Sequence, residues 1–384
     1  MKFSSFLRAE KHYIVPRRSR FIEKRSFSAV FLIFDCFFEA KRRPTNSEQF
    51  TTMKWLFLLT LPLAGAFVSH EHTRSLVKAD DTPYGPGNPC PCSDESLCAP
   101  LKTNRFDDGK EFFIFHVPGY GEFNDEWRQY NWDRITSVSL WQFVDSDAEF
   151  YCYAKSLGVR IFVQASPERA AYATNNETAK LEWVDNVLSD VQGYFADGIN
   201  MDTEDDIAPM NKTVQKGLTD MAVRAKSAFV ENDLADVLVT FDVGWSPNAD
   251  GRFYDYEGLA EASDFLVIMA YDMASYIWGA CLATPNSPPA QVLQGLLQWM
   301  SVTTPDKLVL AVPWYGRSYE CTEGTKVTDR YGPIAAAPWR DCNCTDADSG
   351  VIDYTAAYNS NLTKVKDDIL QNTYYNNVVN GTGE

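Results

Sequence analysis

The sequence lacks several features that mark common protein classes. Its main apolar run, in "WLFLLTLPLAGAFVSH" after Met53-Lys54, has 14 residues, too few for a comfortable transmembrane helix. No glycine-rich phosphate motif follows its apolar runs, which argues against an open nucleotide-binding sheet. Its cysteines form no CxxC pair and have no histidine nearby, so neither a metal site nor any other cofactor is expected. Positive charge is scarce past residue 69. The first 69 residues carry 12 Lys/Arg against 5 Asp/Glu, and the rest carries a net charge of -24. A body that acidic argues against nucleic acid and anionic membranes as partners and suits a neutral or cationic ligand.

What is present fits a secreted globular protein. The chain has 384 residues, 45% of them apolar, which is ample for a large core. A short basic start, an apolar run and small residues make 53–69 a secretory signal peptide. Met53 is therefore expected to be the true start and 1–52 an upstream extension; the alternative is a signal anchor or an organelle leader. Residues 70–108 form a cysteine-rich, turn-rich entry segment, and 109–384 the main domain. Eight of the nine cysteines follow the signal, an even set that suits disulfides, with Cys36 left in the extension. The groups "CPC" and "CNC" are expected to reach outward rather than bond internally. Sequons at Asn176, Asn211, Asn343, Asn361 and Asn380 suggest a glycosylated surface. Localisation in the secretory pathway follows, lysosomal or extracellular, with no membrane attachment after signal cleavage.

The chain then alternates apolar runs with helical patterns. Seven strand candidates occur: "FFIFHV" (112–117), "ITSVSLW" (135–141), "VRIFVQ" (159–164), "GYFADGINM" (193–201), "VLVTFDV" (237–243), "FLVIMAY" (265–271) and "LVLAVPW" (308–314). Helical spacing runs through 178–192, 215–232 and 289–301. Alternation of this kind predicts an α/β fold, a (β/α)8 TIM barrel. A long polar insert (316–363) follows the seventh run and no eighth strand candidate is found, so the barrel is expected to be truncated before its eighth strand.

"GYFADGINMDTEDD" brings an apolar strand to a cluster of acids. By strand alternation Asn200, Asp202 and Glu204 share a face, at the strand end where barrel enzymes place chemistry. Asp197 is out of phase unless the strand bends, which Gly198 would allow. Neighbouring carboxylates raise one another's proton affinity, so one can stay protonated while the other stays charged. The tail "EDDIAP" reads as a solvated loop.

"DGINMDTE" resembles the signature of family 18 glycoside hydrolases, Asp-x-x-Asp-x-Asp-x-Glu, with Asn200 at the second place where the pattern has Asp. That departure is similar to one lysosomal branch of the family. "CPCSDESLC", "YNWDRITSV", "EFYCYAKSLGVRIFV", "TFDVGWSPNADGRFYDYEGLAEASDFLVIMAYD" and "KLVLAVPWYGRSYEC" extend the resemblance over about residues 88–375. It implies hydrolysis of β-1,4-linked N-acetylglucosamine, in chitin oligosaccharides or the core of N-glycans, by a retaining, substrate-assisted route. In that reading Glu204 is general acid and then base, and Asp202 orients the 2-acetamido group. Asn200 hydrogen-bonds Asp202, and Asp197 supports from deeper in the barrel. Tyr271, in the Met-x-Tyr-Asp pattern, donates to the acetamido carbonyl, while Asp272 binds sugar or steadies its loop. From the residues alone, Tyr271 is equally a core tyrosine.

Trp314 and Tyr315 end the seventh run and offer aromatic surface for a sugar, although Trp314 is as readily barrel packing. Asp242 and Trp245 end the fifth and are candidates to line the cleft; Trp141 reads as core. The family's tryptophan on the eighth strand has no equivalent here. The partner expected is an N-acetylglucosamine oligosaccharide, and the complete protein is expected to be a monomer. Two other readings stand beside the enzyme: a secreted chitinase-like carbohydrate-binding protein, and an inactive truncated remnant.

Overall fold

A computed structural model describes residues 89–383, apart from 102, 107–108, 117–124, 141–146, 175, 275–280, 323–330, 341, 361, 368–371, 377 and 380–381. These residues all fall in the unit Ser47–Glu384; the unit Met1–Asn46 lies outside them. The proposed extension, the signal peptide, Cys36, residues 70–88, Trp141 and the sequons at Asn361 and Asn380 also lie outside the described residues.

Seven parallel strands form one sheet in chain order: β1 (Phe113–His116), β2 (Ser137–Leu140), β3 (Arg160–Gln164), β4 (Gly198–Met201), β5 (Leu238–Gly244), β6 (Phe265–Met269) and β7 (Leu308–Ala311). Their aliphatic runs fit strands buried on both faces, as parallel sheets require. Every residue of β2 and β4 is buried. β1 and β7 are only partly covered because each lies at an edge of the sheet. The fold is thus a β/α barrel wall of seven strands in which, among the described residues, β1 and β7 do not pair.

The crossovers are α1 (Asp147–Ser156), α2 (Arg169–Tyr172), α3 (Glu177–Gly193), α4 (Lys212–Glu231), α5 (Tyr256–Ala262) and α6 (Pro289–Trp299). Two sequon asparagines are helix N-caps. Asn176 accepts from the Ala179 amide at 3.2 Å and Asn211 from that of Val214 at 3.4 Å. The main core packs α3 and α4 on β3–β6, with Leu218, Met221, Phe229 and Trp299 fully or almost fully buried. A second core joins the entry segment to α1 and β2 through Trp127, Trp132, Phe150 and Tyr151.

Two predicted strands are shortened. The fourth begins only at Gly198, because α3 runs to Gly193 and Phe195 then turns the chain with φ 50°. Gly198 is required there for packing rather than for a bend: a Cβ would lie 2.2 Å from the Phe162 ring. The seventh stops at Ala311, so Trp314 and Tyr315 do not end it. Tyr315 opens β8 (Tyr315–Ser318), which pairs antiparallel with β9 (Gly350–Asp353) across the insert. After a short α7 (Tyr354–Asn359), β10 (Thr363–Asp367) pairs antiparallel with β11 (Asn372–Asn376).

Six of the eight cysteines form bridges: Cys90–Cys98, Cys92–Cys152 and Cys281–Cys344. Neither "CPC" nor "CNC" bonds internally: the first reaches outward through both cysteines, the second, among the described residues, through Cys344 alone. The sulfurs of Cys90, Cys92 and Cys98 cluster within 4.8 Å, but all three are in disulfides. In the insert Cys321 is half-buried and Cys342 buried.

Candidate active site

The end of β4 carries the site. Asp197 precedes the strand and faces α1, not the barrel mouth. Its Oδ1 accepts from Lys155 Nζ at 2.6 Å and from the Leu101 amide at 2.7 Å; its Oδ2 accepts from the Ile161 amide at 2.8 Å. Both charged side chains are fully buried. Burial pushes the carboxyl up and the ammonium down, and their contact with each other opposes both shifts. Asp197 is therefore a latch between entry segment, α1 and β3.

Asn200 points into the barrel. Its amide nitrogen donates to Thr240 Oγ1 at 3.0 Å and to Asp242 Oδ1 at 2.9 Å. Its oxygen accepts from Gln164 Nε2 at 2.8 Å, and that nitrogen also donates to Ser139 Oγ at 2.9 Å. The expected bond from Asn200 to Asp202 is thus replaced by one to Asp242, within a polar chain crossing β2 to β5. Gln164, Ser139 and Thr240 were not singled out in the sequence, although each is a polar residue interrupting an apolar run. Asp242 is buried beneath the mouth and is pushed well above the usual carboxylate range, first by burial and then by the charge of Asp202.

Asp202 and Glu204 lie directly after the strand. The Asp202 amide donates to Ser166 Oγ at 2.7 Å, and that hydroxyl donates back to the Asp202 carbonyl at 2.8 Å, so the backbone is fixed from β3. Oδ1 of Asp202 is buried without a hydrogen-bond partner among the described residues. Burial, with the neighbouring Glu204 charge, pushes this carboxyl up to about 7. The Glu204 side chain is 50% exposed, at the mouth, and pairs with the 5% exposed guanidinium of Arg252. Its carbonyl accepts from Arg340 Nη2 at 2.6 Å. Neither arginine was identified from sequence; Arg252 is the only cation in "NADGRFYDYEG". The following acids are not merely solvated: Asp205 accepts from the Tyr172 hydroxyl and lies 3.6 Å from Arg169.

From β6, Tyr271 faces the same group. It is half-buried, and burial pushes its hydroxyl well up, helped by Asp242, Asp202 and Glu204. Such a phenol stays protonated and can only donate to an incoming acceptor or accept from a donor. Asp272, at φ 52°, accepts from Tyr315 Oη at 2.8 Å and Arg317 Nε at 2.9 Å. It steadies its loop and brings Tyr315 within 6.0 Å of the Tyr271 ring. Trp245 does not line an open cleft: it is buried against Ala249, Met273 and Val292. Trp314 is 69% exposed, so it is not barrel packing.

The family model for glycosyl hydrolases of family 18 matches residues 166–381. The di-N-acetylchitobiase of Rattus norvegicus is 35% identical over 267 residues, 69% of this chain and 68% of that protein. Its Homo sapiens counterpart is 33% identical over 270 residues, 70% of this chain and 66% of that protein. The probable di-N-acetylchitobiase 1 of Dictyostelium discoideum is 34% identical over 276 residues, 70% of each. The chain therefore spans about two thirds of the length of these relatives. Among solved structures, a class V chitinase mutant from Cycas revoluta in complex with (GlcNAc)3 aligns with TM-score 0.56 at 14% identity, over 71% of this chain and 87% of that one. A chitinase from Trichuris suis aligns with TM-score 0.55 at 18% identity, over 71% and 84%. These likenesses show the fold.

Proposed function

The chain belongs to family 18 of the glycosyl hydrolases, and from that premise we propose that it cleaves β-1,4-linked N-acetylglucosamine by a substrate-assisted, retaining mechanism. Substrates of this class are chitin oligosaccharides and the chitobiose core of N-glycans. The observation that carries the reading is the Asp202–Glu204 pair. One carboxyl is half-buried, with its Oδ1 shut off from solvent, and is pushed up to about 7; the other stands exposed at the mouth two residues on.

In this mechanism Glu204 gives a proton to the leaving glycosidic oxygen as the bond from that oxygen to the anomeric carbon breaks. The substrate's 2-acetamido oxygen attacks the same carbon and closes a positively charged oxazolinium ring. Asp202, beneath the mouth, orients the acetamido N–H and stabilises the charge that develops there. Tyr271 donates to the acetamido oxygen side. Water then attacks the anomeric carbon and Glu204 takes its proton; the acetamido bond opens and configuration is retained. Asn200 and Asp242 hold the floor, and Trp314 and Tyr315 offer ring surface beside it. At rest one oxygen of the Glu204 carboxylate pairs with Arg252, and the side chain stands half exposed at the mouth.

The disulfides support an oxidising compartment, and we place the protein in the secretory pathway, lysosomal or extracellular. Among the described residues no helix is long and apolar enough to cross a membrane.

The test compares a chromogenic N-acetylglucosamine disaccharide with its glucose counterpart. The first is expected to be cleaved and the second to be nearly inert, because it lacks the nucleophile. Glu204→Gln is expected to lose about 10²–10⁴-fold or more in kcat, and Asp202→Asn also strongly. Similar rates on both substrates, or an active Glu204→Gln protein, would overturn the mechanism.

A further inference from the structure

The insert between β8 and β9 carries Arg340 to the mouth of the barrel on a built support. A tight turn is closed there by Trp339 and Cys342, which exchange backbone hydrogen bonds at 2.9 and 3.0 Å. Behind it, Thr345 is buried and bonds the Ala337 carbonyl through both its amide, at 3.1 Å, and its hydroxyl, at 2.7 Å. The Cys281–Cys344 bridge fixes the base of the turn to the segment after β6. At its tip Arg340 has φ 46°, unfavourable for a residue with a side chain. Its guanidinium lies 4.4 Å from the Trp339 ring centroid. From there one nitrogen donates to the carbonyl of Glu204 and another to that of Asp250. Arg340 thus ties the loop after β4 to the loop after β5.

Arg252 comes from that second loop and meets the other end of Glu204. Its backbone is fixed by a parallel bridge to Ile207, by its amide to Ala249, and by its carbonyl accepting from the Tyr256 hydroxyl. Its buried guanidinium faces Glu204 and Asp202 from the β4 side, Asp250 from its own loop and Asp242 from β5, with Tyr254 and Tyr256 alongside. Among these groups it is the only cation.

We infer that Arg252 and Arg340 are positioning residues for Glu204, one holding its carboxylate and the other its backbone, so that the insert is part of the active site. The inference rests on the catalytic role proposed for Glu204. The two arginines act differently. Arg252 acts through charge and also restrains the affinity of Asp202 for its proton. Arg340 acts through the backbone, since it bonds carbonyls and no carboxylate oxygen. A misplacement of the acid by about 1 Å is enough to cost up to 10²-fold in rate.

The experiment uses the full chain and four variants, Arg252→Met, Arg252→Lys, Arg340→Met and Arg340→Lys, each checked for folding by a thermal melt. Two readouts need no turnover. In protein labelled with ¹³C at aspartate carboxyls, the Asp202 signal is identified by its loss in Asp202→Asn. Its midpoint is expected to rise by about one pH unit in Arg252→Met and to return in Arg252→Lys. The ¹⁵N relaxation of the Glu204 amide is expected to report faster motion in Arg340→Met and not in Arg252→Met.

Kinetics on the chromogenic disaccharide then split the roles. Arg340→Met is expected to lower kcat about tenfold with KM within about twofold and the pH limbs unmoved, and Arg340→Lys to recover part of the loss. Arg252→Met is expected to move the pH limb of kcat/KM upward with Asp202. An unmoved Asp202 midpoint would remove Arg252 from the site, and an unaltered Glu204 amide would remove Arg340. A folded parent chain with no turnover would instead sink the glycosidase reading, while the two spectroscopic results still decide the clamp.

Discussion

Asp202 couples the site to stability. Its carboxyl titrates near 3.8 when solvated and at about 7 in the fold. Between those values the native state binds a proton that the unfolded chain does not. The stabilising contribution is therefore complete below about 4 and is lost as pH rises to about 7. Melting temperature is expected to fall across that window, and Asp202→Asn, which cannot ionise, is expected to flatten the fall. Equal slopes for parent and variant in a pH series of melts would show that Asp202 is not the group responsible. At this scale the sequence was informative about spacing and silent about partners. "DGINMDTE" puts Asp202 and Glu204 at the mouth because strand alternation is local. The turn of Asn200 to Asp242 and the pairing of Glu204 with Arg252 join residues 42 and 48 positions apart, and no local pattern encodes them.

Among the elements, α1 depends most on a polar contact. Its Lys155 is wholly buried against Asp197. Removing one partner strands the other charge, so Asp197→Ala or Lys155→Met is expected to cost about 3–5 kcal/mol in urea unfolding. The double change Asp197→Ala/Lys155→Met is expected to cost less than the sum of the single changes, because no lone charge remains. Additive losses would show that the pair is not coupled. The seven strands were legible because each is a short, mostly apolar run rich in Val, Ile, Phe and Leu. α1 and α5 were not, because their short segments, "DAEFYCYAKS" and "YEGLAEA", mix aromatic, small and charged residues with weak periodicity. β8 and β9 escaped for a related reason: "YGRS" and "GVID" are four residues each, and almost none of either is buried. The start of β4 was misjudged because the left-handed turn at Phe195 carries no glycine to announce it.

At the scale of the whole molecule, the barrel wall has two edges among the described residues. β1 and β7 each offer one side to hydrogen-bonding neighbours, and Leu310, Val312 and Trp314 are exposed along and just beyond β7. Such edges pair with other chains unless something covers them. The 384-residue chain is expected to self-associate in light scattering at micromolar concentration, and Val312→Lys is expected to shift it toward the monomer. A monomeric parent with a sharp cooperative melt would remove the edges as a liability. The barrel class was legible from the alternation of strand and helix, whereas the pairing of the two longest-range disulfides was not, since sequence does not order cysteines in space. Those two bridges enclose the edges: Cys92–Cys152 spans β1 and β2, and Cys281–Cys344 spans α6, β7 and β8. A mechanical load applied to the chain ends therefore bypasses both edge strands. With loops of 60 and 63 residues, roughly 200 Å of contour apiece stays hidden from extension. Pulled in an optical trap, the oxidised protein would yield first at its middle strands, and added reductant would release the hidden length.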